Sequence, residues 1–317
     1  MNLCDNIHHL AQANCLKCFP KRLEDINDKL PYFALRKKDG GKNYTIEAFN
    51  YETHDNAPRM PYVLNYLSTK VLPHVQGDLS GYYNIQLHDT YSYLNDGIDY
   101  TDVLCFGKRK RDIGPVQIPD CYFLGDWGGK YYNCNDQIDW NDKQSKIVFA
   151  GTTTGSRDPT INQRIQTCLW AREKPECDFF ITNIAQIEPR RIFTEVPDFK
   201  YIYRPPIPIA EQMKYRYQLV IDGNTCRWNP DVYFTNTLAF HYPSDDMLWY
   251  YPLLRDRQEF VSITMSDLIQ TFTYYESNPK EARFIIDNAK HVAKTIFNKD
   301  VCVDYTIALF QCIADNK

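Results

Sequence analysis

The stretch Lys146 to Arg164 reads KIVFAGTTTGSRDPTINQR, and its interpretation decides the fold. Ile147, Val148 and Phe149 form the short apolar run expected of a strand covered on both faces. Gly151 and Gly155 allow a tight turn and close backbone approach to a ligand. Ser156 or Asp158 is expected to cap the next helix, with Pro159 in its first turn. Ile161, Ile165, Cys168 and Leu169 then recur on one helical face. Unpaired N–H groups at a helix start attract anions, and Arg157 adds a fixed charge and a planar fork of donors. Strand, small-residue loop and helix together suit a diphosphate. The same pattern also serves as a plain connection in many α/β proteins.

A second stretch, Lys214 to Trp228, reads KYRYQLVIDGNTCRW. Gln218 to Ile221 is another short apolar strand, and Asp222-Gly223-Asn224-Thr225 follows it. Upstream lie Asn84-Ile85-Gln86-Leu87-His88-Asp89 and Leu104-Cys105-Phe106-Gly107-Lys108. Downstream, Leu238 to His241 reads as a further strand, and Ser266-Asp267-Leu268 precedes two terminal helices.

In order and spacing these elements resemble the CAP10-like glycosyltransferases (glycosyltransferase family 90), which include protein O-glucosyltransferases, their KDEL-containing relatives and capsule-associated xylosyltransferases. The family pattern has a strand ending in an aromatic and a glycine-hydroxyl pair, then Arg-Asp-Pro. Here these are Phe149, Gly151-Thr152 and Arg157-Asp158-Pro159. A Lys-Tyr-x-Tyr element leading to Asp-Gly-Asn follows, here Lys214-Tyr215-Arg216-Tyr217 and Asp222-Gly223-Asn224. The similarity covers roughly Tyr82 to Phe310. Two positions depart from it. Ala150 stands where many members have arginine. Asn229-Pro230 stands where a second phosphate-contacting arginine is usual; either Arg227, slightly earlier, substitutes for it or the phosphate site is weaker.

The resemblance implies an α/β fold of the GT-B type, with two Rossmann-like domains facing a cleft and a C-terminal helix returning to the N-terminal domain. The expected divisions are an acceptor-side domain over 1–143, a donor-binding domain over 144–298 and the returning helix over 299–317. The resemblance also implies inverting transfer from a UDP-sugar, glucose or xylose first, to a hydroxyl of a protein or glycan acceptor. Asp89, at the end of a strand, falls where members carry their proposed catalytic aspartate. A carboxylate within reach of the acceptor hydroxyl can act as general base. Gly151, Thr152, Thr153, Gly155 and Arg157 are the expected diphosphate site, joined by Asp222, Gly223, Asn224, Thr225 and Arg227. Preorganised donors of this kind are often the largest catalytic term.

Composition agrees. The chain has 317 residues, 44% hydrophobic and 24% charged, which is ordinary globular composition for about two domains. Its formal net charge of −4 argues against a general nucleic-acid binder. The one basic run, Lys108-Arg109-Lys110-Arg111, is expected to be a solvated loop or a lure for an anionic nucleotide sugar. The elbow of a Ser-His-Asp hydrolase, the P-loop and the dinucleotide Gly-x-Gly-x-x-Gly are all missing. The rival is a non-catalytic sugar- or glycoprotein-binding module on the same fold, since 24 Tyr and 17 Phe suit sugar stacking as well as cores.

No metal and no cofactor beyond the donor sugar nucleotide is expected. No strict Asp-x-Asp is present. Asp136, Asp139 and Asp142, and Asp245-Asp246, read as solvated surface. Eleven cysteines are many. Cys15 and Cys18, with Cys4 and His8-His9 nearby, make only an isolated pair, weak for zinc. MNLCDNIHHLAQANC lacks the apolar core of a secretory leader, the final Ala-Asp-Asn-Lys is no retention tail, and no run is long enough to span a membrane. The expected location is cytoplasmic or otherwise soluble. The Asn-, Asp-, Tyr- and Ile-rich composition suits a virus or protist that glycosylates in its cytoplasm.

Along the chain, Pro61 to Leu67 is expected helical, Tyr82 to Leu87 a strand, Asn133 to Asp142 a boundary and Gln186 to Pro208 a proline-rich loop. Met265 to Glu276, Pro279 to Phe297 and Asp300 to Ala314 are expected helices. Ser266 and Pro279 are expected to open the first two.

Overall fold

The computed structural model describes residues 3–15, 20–38, 43–89, 102–112, 114–120, 136–224 and 230–316. The chain is α/β and divides into two units. One comprises Met1–Lys130, Asp245–Leu253 and Thr295–Lys317, and the other Tyr131–Ser244 and Leu254–Lys294. The expected divisions stood at 143/144 and 298/299, without the return of 245–253 to the first unit.

The first unit opens with α1 (Leu3–Cys15), β1 (Tyr32–Lys37), β2 (Tyr44–Phe49) and α2 (Arg59–Tyr66). β3 (Gly81–Asn84), β4 (Leu104–Cys105), β5 (Gly107–Arg109) and β6 (Val116–Gln117) follow. β1 pairs antiparallel with both β2 and β3. Beyond β3, Ile85 bridges Leu104 in parallel, and β4 runs parallel to β6. The three-stranded sheet β2-β1-β3 is thus antiparallel throughout, and the parallel pair β4-β6 is separate from it, reached by the single bridge at Ile85.

The second unit holds β7 (Gln144–Thr152), α3 (Gln163–Ala171), β8 (Cys177–Asn183), α4 (Pro189–Glu195), β9 (Tyr215–Val220) and β10 (Leu238–His241). After β11 (Asp246–Leu248), which belongs to the first unit, come β12 (Val261–Ser262), α5 (Leu268–Ser277) and α6 (Pro279–Ile296). The sheet order is β12-β10-β9-β7-β8, and every pair is parallel. Numbered within the unit this is 2-1-3-4-5, the flavodoxin-like doubly wound order, a Rossmann-like sheet. Ile147 and Val148 are fully buried, as are Leu219 and Phe240, because a parallel sheet is covered on both faces.

α7 (Lys299–Asp315) packs within the first unit. Tyr66 donates to the Cys302 carbonyl at 2.9 Å, and Tyr305 donates to the Gln117 carbonyl at 2.9 Å. Asn298 caps this helix by accepting from the Asp300 N–H.

Several local expectations are corrected. α3 starts at Gln163 rather than just after Asp158, and its cap is Asn162, whose side chain accepts from the Ile165 N–H. Asp158 instead closes a turn, accepting from the Thr160 N–H at 2.9 Å and its hydroxyl at 2.6 Å. These two bonds hold its carboxyl below the usual range. Ile161, freed from the helix, is exposed.

Gln186–Pro208 is not all loop. It contains α4 and a 3-10 turn at Pro197–Tyr201, and each begins on a proline whose missing N–H has no helical partner to lose. Asp267, not Ser266, holds the cap position of α5, and its carboxylate accepts from the Thr264 N–H.

The basic run is divided: Lys110 and Arg111 are exposed in a turn, whereas its first half is not a solvated loop. Lys108 and Arg109 lie in β5, antiparallel to β11, and Lys108 is buried with its ammonium donating to the Pro115 carbonyl. Burial lowers its pKa. Asp136 is likewise buried, paired with Lys143 at 2.7 Å and accepting from the Asn236 N–H. A carboxylate taken out of water needs such partners.

Candidate functional site

In doubly wound sheets, ligands bind beyond the carboxyl ends of the strands, where the strand order reverses. In the second unit that point lies between β7 and β9. The loops leaving these two strands are Thr153–Asn162 and the Asp222-Gly223-Asn224 turn, the two segments singled out from sequence.

The loops are tied together by side chains. Arg164, in the first turn of α3, is the principal tie. Its Nε donates to the Asp222 carbonyl at 3.1 Å and its Nη2 to the Ile221 carbonyl at 2.8 Å. Its Nη1 donates to the Thr152 carbonyl at 3.2 Å and to Thr154 Oγ1 at 2.8 Å. One planar fork thus bridges the ends of β7 and β9, a task that needs the guanidinium geometry. Asn224 accepts from the Gly155 N–H at 3.1 Å, adding a second tie. Asn162, fully buried, donates to the Thr153 carbonyl at 3.1 Å and the Ser156 carbonyl at 2.8 Å while capping α3.

Glycine is required at two places. Gly155 has φ +110°, outside the range favoured by other residues. A Cβ on Gly223 would stand 2.3 Å from Thr154 Oγ1 and 3.0 Å from Arg164 Nη2. A side chain at 223 therefore forces Thr154 to shift.

The donors left over define what the loop can hold. The Thr153 N–H bonds the Asn183 carbonyl, and the Asp158 N–H bonds Ser156 Oγ. The N–H groups of Thr154, Ser156 and Arg157 have no acceptor among the described residues. These N–H groups and the start of α3 are the donors that an anion could use here.

The expected site residues distribute as follows. Gly151 and Thr152 end β7, and the Thr152 carbonyl and hydroxyl both face Arg164 Nη1. Thr153 is buried, and its hydroxyl is spent on the Ala185 backbone. Asp222, Gly223 and Asn224 form the facing turn, with the Asp222 carboxylate accepting from Ser244 Oγ. Arg157 is exposed, and its carbonyl accepts from Arg191. Thr225 and Arg227 lie outside the described residues. The Lys214-Tyr215-Arg216-Tyr217 element contributes to the frame instead: Tyr215 donates to Asp178, and Arg216 and Tyr217 both reach Glu276.

Sequence reasoning missed Arg164, Asn162 and the role of the Thr154 hydroxyl. A signal was present for Arg164. A basic residue in the first turn of a helix opposes the macrodipole, so its position calls for a specific partner.

In the first unit, Asp89 lies past the end of β3 and the isolated parallel bridge at Ile85. Its Oδ1 accepts from Arg59 Nη2 at 2.6 Å, and Arg59 Nη1 donates to the Leu87 carbonyl at 2.8 Å. The Asp89 Oδ2 accepts no bond from the described residues. The carboxylate is 22% exposed, so it is held and still reachable.

Among the described residues no group of three or more His, Cys, Asp or Glu side chains is placed to hold a metal ion. Cys18 and the side chains of Cys4 and Cys15 lie outside the description. No described helix is long and apolar enough to cross a membrane.

No family model matches the chain, and no curated protein matches it. Solved structures do resemble it. TarM matches with a TM-score of 0.43 at 9% identity, over 63% of this chain and 40% of TarM. Anabaena Alr3699/HepE, in complex with UDP-glucose, matches with a TM-score of 0.40 at 11% identity, over 61% of this chain and 56% of HepE. The C-terminal domain of a group 1 family glycosyl transferase (LpcC) from Francisella tularensis matches with a TM-score of 0.33 at 11% identity, over 51% and 92%. The chain thus spans less than half of TarM and little more than half of HepE.

Proposed function

We propose that the protein is a GT-B glycosyltransferase of the CAP10-like kind, moving a sugar from a UDP-sugar to an acceptor hydroxyl with inversion. The observation that carries this reading is the pair of loops bound together by Arg164 at the switch point of the second unit's parallel sheet. They present backbone N–H groups and a helix start where such folds hold a nucleotide.

In this reading the β-phosphate of UDP rests on the N–H groups of Thr154, Ser156 and Arg157, with the start of α3 behind them. Arg157 and Arg227 add charge from the loops. Asp89 Oδ2 accepts the proton of the acceptor hydroxyl while the acceptor oxygen bonds to the anomeric carbon. The bond from that carbon to the UDP β-phosphate oxygen breaks, and its electron pair leaves with UDP. Arg59 holds Asp89 by its other oxygen. Fixed donors and charge at the loop stabilise the leaving diphosphate without a metal ion. Glucose and xylose are the first sugars to test, and the acceptor is a protein or glycan hydroxyl.

The test is UDP release from a panel of UDP-sugars, with and without acceptors, under EDTA. Transfer that is abolished by Asp89→Asn while UDP binding persists supports the reading. UDP binding with no transfer to any acceptor, and no effect of Asp89→Asn, moves the assignment to the non-catalytic binding module.

A further inference from the structure

Asp89 sits in a circuit of bonds that contains two histidines with no part in the chemistry above. His54 and His88 lie ring to ring, with centroids 4.5 Å apart and planes tilted by 51°. Asn56 joins them. Its backbone N–H donates to His54 Nδ1 at 3.0 Å, and its side-chain Nδ2 lies 2.9 Å from His88 Nδ1. A backbone N–H can only donate, so His54 Nδ1 carries no proton. The Asn56 amide nitrogen also donates, so His88 Nδ1 accepts. Both rings are therefore neutral, each with its proton on Nε2.

The circuit closes on Asp89. The Arg59 N–H donates to the Asn56 carbonyl at 2.9 Å. The Arg59 guanidinium holds Leu87 and Asp89. The His88 N–H donates to Gln86 Oε1 at 2.8 Å. The segment from His54 to Arg59 thus fixes residues 86–89 at three points.

We propose that His54, Asn56 and His88 form a proton-sensitive positioning device that holds Asp89 in place only while both imidazoles are neutral. This rests on Asp89 being the base. A proton on His54 Nδ1 would face the Asn56 N–H, donor against donor, and break that bond. It would also put a cation beside His88 and Arg59. A proton on His88 Nδ1 would expel the Asn56 amide in the same way. Among the described residues, the charged groups acting on His54 besides His88 are Asp55 and Arg59. Burial, His88 and Arg59 lower the His54 pKa, while Asp55 and a hydrogen bond to Gln86 raise it, and the net direction is down from 6.5. The sign follows: the device is intact above pH 6.5 and opens only as pH falls through the lower, folded-state value.

The test is an NMR titration of the His54 and His88 rings in the full chain, beside a pH profile of transfer. The expected result is Nε2–H tautomers at neutral pH, a His54 midpoint below 6.5, and turnover that falls at that midpoint while UDP affinity stays constant. His54→Asn supplies an acceptor that does not titrate in this range. It should keep turnover at neutral pH and shift the acid limb down by about one unit or more. His54→Leu, with no acceptor, should lower turnover roughly tenfold at every pH, with the donor KM unchanged. A His54 midpoint at or above 6.5, or an acid limb that survives His54→Asn, overturns the device. If no donor supports transfer, the proposed function fails separately. The device is then judged by the Asp89 side-chain carboxyl resonance, which must shift at the His54 midpoint, and a resonance that ignores that midpoint overturns it.

Discussion

Arg164→Lys separates charge from geometry at the loop junction. The substitution keeps the positive charge but replaces a planar fork by a single point of donation. In the native chain the fork reaches Asp222 and Ile221 on one side and Thr152 and Thr154 on the other. An ammonium can serve one side only, so at least two bonds are lost. Charge-assisted bonds contribute about 1.5–3 kcal/mol each. Taking the low end, because the side chain is half-buried, the loss is about 3 kcal/mol of stability. Loosening the two loops should also lower UDP affinity about tenfold, or about 1.4 kcal/mol. Denaturant unfolding measures the first and calorimetric titration with UDP the second. Arg164→Met, which removes the charge too, should weaken UDP binding further than Arg164→Lys. A lysine variant with unchanged stability and unchanged UDP affinity would refute the view that the fork organises the site.

Three further outcomes are expected. Gly223→Ala must displace Thr154 or Arg164, so it should destabilise by about 1–3 kcal/mol and weaken UDP binding, read by the same two assays. Asp89→Asn should leave UDP affinity unchanged and abolish transfer; near-normal turnover would remove Asp89 as the base. Arg157→Ala, at an exposed position, should leave the unfolding midpoint in place and weaken UDP binding, and equal UDP affinity would remove the Arg157 side chain from the phosphate site.

Much of the second unit was legible because buried parallel strands announce themselves. Ile147–Phe149 and Leu238–Phe240 are uninterrupted apolar runs, and each lies in a strand of the sheet. What failed was punctuation. Asp158-Pro159 has the composition of a helix start, yet Asp158 spends its carboxylate on Thr160 and delays the helix to Gln163. That delay moves Arg164 into the first turn, where it can reach both loops. Arg157 is exposed and takes no part in that tie. Pro189 and Pro197 read as loop markers but open helical turns, because proline is tolerated at a first helical position. Lys108 and Asp136 read as solvated charges. Their burial depends on partners at Pro115 and at Lys143 and Asn236, and the distant Asn236 cannot be anticipated from local pattern. Asp89 was found by resemblance, whereas its Arg59 partner, thirty residues away, carries no sequence mark.

The most direct test of the account is calorimetric titration of the purified protein with UDP, UDP-glucose, UDP-xylose and GDP-mannose in the presence of EDTA. Saturable binding selective for UDP and one UDP-sugar, weakened in Arg164→Lys, is the predicted result. Folded protein that binds none of the four would contradict a nucleotide-sugar site at the β7–β9 junction.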